Sequence, residues 1–207
     1  MKVLLHADGH TAKGGSPLIC HNERLADPLD TFTRAIAGIS KKRNKTEADY
    51  EAMGRIEFLG SLYTEPPMDD LADASNGHVP CLPAWNVIRC LQDGATRQKR
   101  GRDVLAGVYP LATHTTLEFD GPTVPAEMWQ SGAFIYRAKV GVQRSATMRT
   151  RVIFVDWEFQ LPVEVDSTVF DVDTLALAWK DAGIYKGIGD RRPVNGRFAG
   201  TVEVTEP

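Results

Sequence analysis

The feature that most constrains the fold is a long alternation of apolar and polar residues near the C-terminus. Between 153 and 165 the apolar residues recur at every second position: Ile153, Val155, Trp157, Phe159, Leu161, Val163 and Val165. Most positions between them carry acidic or amide side chains. A period of two is the side-chain repeat of a β-strand with one buried face and one wet face. The segment therefore predicts a long, half-buried strand.

The segments on either side of this strand predict an α+β fold. Asp171 or Asp173 is predicted to cap a helix that Gly183 ends, and an alternating strand from Phe198 closes the chain. Residues 134–142 are predicted to form an antiparallel partner that precedes the long strand. Strand, strand, helix, strand is half of a split βαβ, ferredoxin-like sheet.

The N-terminal half supplies the rest of this sheet. Lys2–His6 is predicted to be the first strand, Pro83 to occupy the first turn of a helix, and residues 104–111 to give a further strand. We therefore predict one RRM-like domain over residues 1–207, with an antiparallel sheet and helices on one face. Residues 7–78 then form a large helical insertion after the first strand.

Within this insertion, the sequence predicts a loop followed by two helices. Glycine and proline mark residues 7–28 as loop, and residues 29–40 are predicted to be helical. Thr46 with Asp49 three residues later is a variant capping box, so a second helix is expected to begin there and run to about Leu62.

Composition limits the classes of protein that the chain can belong to. The formal net charge of the 207 residues is −3, so any anion site must come from segregation of charge rather than from excess. Three cysteines without a CxxC pair predict reduced thiols in a cytoplasmic setting. A signal peptide and a membrane span are both unexpected, because the apolar runs are too short.

Glycines and cations alternate between the predicted last helix and the last strand. Glycine allows the backbone to approach a ligand closely, and arginines among glycines can reach phosphates. The segment therefore indicates an extended anionic ligand, most simply a nucleic acid. The alternative is a tight connection with solvated arginines. The residues concerned are Gly183, Lys186, Gly187, Gly189, Arg191, Arg192, Gly196 and Arg197.

Two further groups of cations are candidates for phosphate contact. The first comprises Arg89 and the cations at 97–102, and its alternative role is to complement a helix dipole. The second lies within 137–151, and its alternative is a solvated sheet face. A third group, at 41–45, is better interpreted as a solvated turn. The predicted nucleic-acid-binding residues are Arg89, Arg97, Lys99, Arg100, Arg102, Arg149, Arg151, Lys186, Gly187, Gly189, Arg191, Arg192 and Arg197. Arg137, Lys139 and Arg144 belong to the same group of cations as Arg149 and Arg151. Tyr136 and Tyr185 neighbour cations and are the predicted stacking residues.

Catalytic and metal-binding patterns are weak in this sequence. The histidines fit none of the HExxH, GxSxG or Cys/His nucleophile motifs, and no phosphate-binding P-loop or dinucleotide fingerprint is present. Cys20, His21 and His10 are candidate metal ligands by residue type, but they lack the ligand spacing of a zinc finger. We therefore predict no catalytic residue, no metal and no cofactor.

Two segments resemble the RAMP superfamily, which includes the backbone subunits of CRISPR effector complexes. Residues 79–95 (VPCLPAWNVIRCLQDGA) resemble its segment of proline and small residues before a helix with arginine. Residues 187–198 (GIGDRRPVNGRF) resemble its C-terminal glycine-rich loop. The resemblance implies an RRM-like fold, RNA binding along the phosphate backbone, homo-oligomeric filaments and contacts with other effector subunits. The whole sequence also resembles a group of phage-encoded proteins.

These observations lead to one main hypothesis and two alternatives. The main hypothesis is a non-enzymatic protein that binds RNA or single-stranded DNA and oligomerises along it. The first alternative is a metal-independent endoribonuclease of the same superfamily, with His6, His10 or His21 as the general base. The second is a phage structural or inhibitory protein that acts through protein contacts alone.

Overall fold

The computed structural model describes residues 1–142 and 145–206, so Arg144 lies outside the described residues. The strands are β1 (Lys2–Asp8), β2 (Leu18–Cys20), β3 (Thr64–Glu65), β4 (Val79–Pro83), β5 (Val108–Pro110), β6 (His114–Thr116), β7 (Ile135–Val142), β8 (Ser145–Phe154), β9 (Glu158–Val165) and β10 (Ala199–Glu206). The α-helices are α1 (Thr31–Ser40), α2 (Glu47–Ser61), α3 (Ala84–Ala95), α4 (Gly101–Gly107), α5 (Pro125–Ser131) and α6 (Val172–Asp181). Short 3₁₀ turns lie at Thr11–Lys13, Glu23–Ala26, Ala72–Ser75 and Thr96–Gln98, and a π-helical turn lies at Ala182–Lys186. The α+β class is confirmed.

The chain divides into two compact units. The first unit contains Met1–Leu18, Cys81–Asp120 and Phe154–Pro207, and the second contains Ile19–Pro80 and Gly121–Ile153. The prediction of a single domain with an insertion at 7–78 stays a prediction. Among the described residues, no helix has both the length and the apolar character needed to cross a membrane.

The first unit is built on a four-stranded sheet in the order β10-β1-β9-β5, in which every neighbouring pair is antiparallel. At its centre Leu5 lies between Leu161 and Val202. Along β1 and β9 every second side chain is apolar and buried, from Val3 to Ala7 and from Phe159 to Val165. Helix α6 lies on this buried face, where the Trp179 ring packs against Phe159 with centroids 6.3 Å apart.

The long strand predicted over 153–165 is two strands in the structure. Strand β8 ends at Phe154 and β9 begins at Glu158, with a bend between them. Asp156 holds this bend because its Oδ1 accepts hydrogen bonds from the Thr11 N–H at 2.7 Å and the Thr11 hydroxyl at 3.0 Å. The apolar residues keep their two-residue spacing through the bend, but the alternation of buried and exposed side chains does not. Val155, which stands at an apolar position of the pattern, is 52% exposed.

The partner predicted for the long strand is also wrong. Strand β7 pairs with β8, where Ile135 lies opposite Val152, whereas β9 pairs with β1 and β5. Of the segment 104–111, only Val108–Pro110 is a strand, because the preceding residues complete helix α4. The predicted loop at 7–28 contains β2.

Helix α3 begins one residue later than predicted. Pro83 is its N-cap rather than its first helical residue, because Pro83 still pairs with His114 as the last residue of β4. Residues three or four apart share a face of a helix, which predicts that Trp85, Ile88 and Leu91 are buried together. Ile88 and Leu91 are buried, but Trp85 is 60% exposed.

The cap of α6 is confirmed, but its predicted end is wrong. The Asp171 side chain accepts from the Thr174 N–H at 2.8 Å, and Leu175, Ala178 and Trp179 on the apolar face of the helix are buried. The helical segment continues past Gly183 as the π-helical turn. It ends at Gly187, whose φ is 69°. Gly183 is required for a different reason, since a Cβ there would overlap the Phe198 carbonyl.

The second unit contains α1, α2, α5 and a sheet in the order β2-β8-β7. The capping box between Thr46 and Asp49 is present. Buried Glu57 on α2 accepts from the Thr150 N–H at 2.7 Å and from the Arg149 guanidinium at 2.5 Å. A buried carboxylate with these two donors ties α2 to β8.

Candidate functional site

An open cleft of about 650 Å³ lies in the first unit at the predicted glycine-rich loop. It brings together one aromatic ring, three cations and two carboxylates. The lining residues are Asp93, Tyr185, Lys186, Gly189, Asp190, Arg191, Arg192 and Pro193. Seven of these eight residues come from the loop and from the end of the π-helical turn that precedes it. The eighth, Asp93, comes from α3.

The glycines of the loop divide into two kinds. The Gly187 N–H donates to the Ala182 carbonyl at 2.8 Å, and a Cβ at Gly187 would lie 2.7 Å from the Asn195 oxygen. Gly196 accepts from the Ile188 N–H at 2.8 Å, and a Cβ at Gly196 would overlap the Ile188 carbonyl. These two glycines let the loop pack on itself.

Because its N–H is already paired, Gly187 is not free to hold a phosphate, contrary to the sequence-based expectation. Gly189 differs because it lines the cleft; its φ of 83° is positive, as is that of Gly187. Arg191 also has a positive φ, 57°, and its N–H donates to the Asp190 carboxylate at 2.9 Å.

Tyr185 forms the aromatic wall of the cleft and is 48% exposed. The Arg97 guanidinium carbon lies 3.8 Å from the centroid of its ring, and the Arg97 Nε donates to Asp181 at 3.1 Å. The cation and the ring attract each other at this distance. Arg97 therefore positions Tyr185, and the predicted stacking residue lies beside a predicted phosphate-binding residue.

Exposed ion pairs hold two of the other predicted arginines at this end of α3. Arg192 Nη1 lies 3.2 Å from Asp93 Oδ2, and Arg89 Nε lies 3.3 Å from Asp93 Oδ1. Exposed pairs of this kind contribute only about 0–1 kcal/mol. A phosphate can therefore replace Asp93 as the partner of Arg192 at little cost.

The remaining predicted cations are not brought to this cleft. Arg100 bonds Asp103 and the Val169 carbonyl, with its guanidinium 4.7 Å from the Phe170 ring, so it supports the fold. Lys99 and Arg102 are exposed and lie outside the cleft. Arg149 and Arg151 belong to the second unit, where Arg149 is paired with Glu57.

Arg197 lines a different cleft of about 490 Å³, together with Lys13 and Lys180. The sequence analysis did not select Lys13 or Lys180, because each stands alone among neutral and acidic neighbours in sequence. Asp93 was also missed, although its position four residues after Arg89 is the spacing of a helical ion pair.

A second group of polar side chains lies at one end of the four-stranded sheet. Asp8 and Glu158 are directly opposite each other on β1 and β9, and a cross-strand pair points to the same face. The His10 Nδ1 lies 2.8 Å from Asp8 Oδ1, and His6 Nε2 lies 3.3 Å from Glu158 Oε2. Of the three histidines considered as a general base, His6 and His10 are thus in one cluster, while His21 belongs to the second unit.

Asp8 is the most buried member of this cluster, with a side chain 9% exposed. Burial opposes its ionisation, but hydrogen bonds from Lys13 and His10 outweigh this effect and lower the pKa of Asp8 to about 2. The carboxyl is therefore ionised at neutral pH.

In comparisons with protein-family models and with curated proteins, the chain matches none of them. The resemblance drawn from residues 79–95 and 187–198 therefore stays a prediction.

Proposed function

We propose that this protein binds single-stranded nucleic acid in the cleft beside the glycine-rich loop, without catalysing a reaction. The observation that carries the proposal is the convergence of an exposed aromatic ring, Tyr185, with Lys186, Arg191 and Arg192 around one open cleft. This combination matches the two chemical parts of a nucleotide.

The cations of the cleft suit the phosphates. Arginine donates two parallel hydrogen bonds to a phosphate, and each charge-assisted bond is stronger than a neutral one. Tyr185 suits a base, because stacking on an aromatic ring contributes about 1–3 kcal/mol per base and tolerates any sequence. Since phosphate contacts position the strand without specifying it, we expect binding to be largely independent of sequence.

We further propose that the four-stranded sheet is the core of a ferredoxin-like, RRM-like fold. Numbered in chain order, its strands lie 4-1-3-2 and alternate in direction, with α3 after the first strand and α6 after the third. This order and the position of the loop between α6 and β10 support the resemblance to the RAMP superfamily.

The open face of this sheet is a poor candidate for the binding surface. Gln160, Pro162 and Glu164 of β9 are exposed there. RRM sheets bind bases by stacking them on aromatic side chains, whereas this strand offers a carboxylate. The proposal therefore places the strand of nucleic acid at the loop and not on the sheet.

Fluorescence anisotropy with end-labelled single-stranded RNA and DNA of mixed sequence tests this proposal. Two or three phosphate contacts predict that log affinity falls against log salt with a slope of about −1.4 to −2.1, because each contact on a single strand contributes about −0.7. An affinity that does not change between low and moderate salt would contradict phosphate binding.

The same samples distinguish the alternatives. The endoribonuclease alternative predicts cleavage of the RNA in EDTA, which a denaturing gel detects, and the protein-contact alternative predicts no binding to either strand. Oligomerisation along nucleic acid stays a prediction of the resemblance. Light scattering of the complex on a long strand tests it, and a strictly one-to-one complex would contradict it.

A further inference from the structure

We propose that Asp8, His10 and Glu158 form a binding site for a divalent transition-metal ion, with Zn²⁺ as the best-fitting ion. Their ligand atoms all lie within 4.8 Å of one another. This site is separate from the loop cleft, and the inference does not depend on the proposed nucleic-acid binding.

The fold brings the three donors together from two elements. The β1–β9 register places Asp8 opposite Glu158 on one face of the sheet, and His10 follows the end of β1 after a single glycine. The His10 main-chain N–H also donates to Asp8 Oδ1 at 3.1 Å, which fixes the start of the turn against the strand. Two of the donors are thus held by backbone pairing and the third by a short local turn.

The distances require only a small adjustment around an ion. Ligand atoms in a tetrahedral zinc site lie about 3.3 Å apart, since each is about 2.0–2.2 Å from the metal. The His10 Nδ1 and Asp8 Oδ1 are 2.8 Å apart, so the distance between them would increase slightly when an ion binds. The Glu158 carboxylate, 36% exposed, can close the remaining distance by rotating its side chain.

Each carboxylate already has a partner from outside the proposed ligand set. Lys13 Nζ is paired with Asp8 Oδ2, whereas His10 is on Oδ1. His6 Nε2 lies 3.3 Å from Glu158 Oε2. Such outer partners orient the carboxylates of metal sites.

The composition of the site selects the ion. One imidazole with two carboxylates favours Zn²⁺ or a neighbouring first-row ion over Mg²⁺, because an imidazole nitrogen is a poor ligand for a hard cation. The His10 side chain is 40% exposed, so a three-ligand site there would keep a position for water.

Isothermal titration calorimetry with Zn²⁺ on the full chain, after treatment with EDTA and its removal, tests the proposal. We expect one ion per chain. His10→Ala and Glu158→Gln are each expected to weaken binding at least about 10-fold, since even outer partners of metal ligands contribute 10- to 100-fold. Both side chains are partly exposed, and circular dichroism verifies that the two variants fold.

His21→Ala is the matched control, because His21 is exposed and belongs to the other candidate set with Cys20. This variant is expected to bind Zn²⁺ as the unmodified chain does. Absence of stoichiometric binding, binding that neither His10→Ala nor Glu158→Gln weakens, or loss of binding in His21→Ala would each overturn the assignment.

Discussion

Replacing Arg191 and Arg192 together with alanine is expected to lower the affinity for single-stranded RNA by about 1–3 kcal/mol, or about 5- to 150-fold. Both side chains are exposed on the loop that lines the cleft, so their removal takes away phosphate contacts without opening the core. Anisotropy titrations at fixed salt measure the difference.

The matched control removes the same charge elsewhere. Lys41 and Arg43 are exposed in the turn between α1 and α2, and their double alanine variant is expected to bind RNA as the unmodified protein does. Both variants should retain the thermal midpoint of the unmodified chain. Equal losses of affinity in the two variants would indicate a response to net charge alone and would contradict a localised site.

The largest effect on stability is expected for Trp157→Ala, at about 3–5 kcal/mol of unfolding free energy. The Trp157 side chain is fully buried, stacks on Phe159 with centroids 5.9 Å apart and donates its indole N–H to the Ser16 carbonyl at 3.0 Å. Alanine would leave a large cavity and an unpaired carbonyl. Urea denaturation followed by circular dichroism measures the loss.

Trp85→Ala is the control for this prediction. Trp85 is also a tryptophan of the first unit but is 60% exposed, so its removal is expected to change the unfolding free energy by about 0.5 kcal/mol or less. Similar losses for both tryptophans would show that the burial assigned to Trp157 is wrong.

Local patterns predicted local elements well in this chain. The capping box at Thr46 and the Asp171 cap each depend on residues three apart, and both are present. The bend at 155–157 could not be predicted, because Asp156 is held there by Thr11, which is distant in sequence. The alternation of apolar and polar residues also does not determine which sheet a strand joins.

The candidate site shows the same limit. Spacing identified the loop and its cations, but it could not show which arginines pair with carboxylates. Arg97 and Arg149 looked equivalent in sequence, yet one positions Tyr185 and the other is paired with buried Glu57. The cluster of Asp8, His10 and Glu158 depends on the register of β1 with β9, which no local motif records.

The measurement that tests the central claim most directly is amide hydrogen exchange, followed by mass spectrometry, with and without saturating single-stranded RNA. Binding in the cleft predicts slower exchange in peptides that cover residues 184–193, while peptides within β9 remain unchanged. Protection confined to the sheet or to the second unit, with residues 184–193 unaffected, would contradict the account.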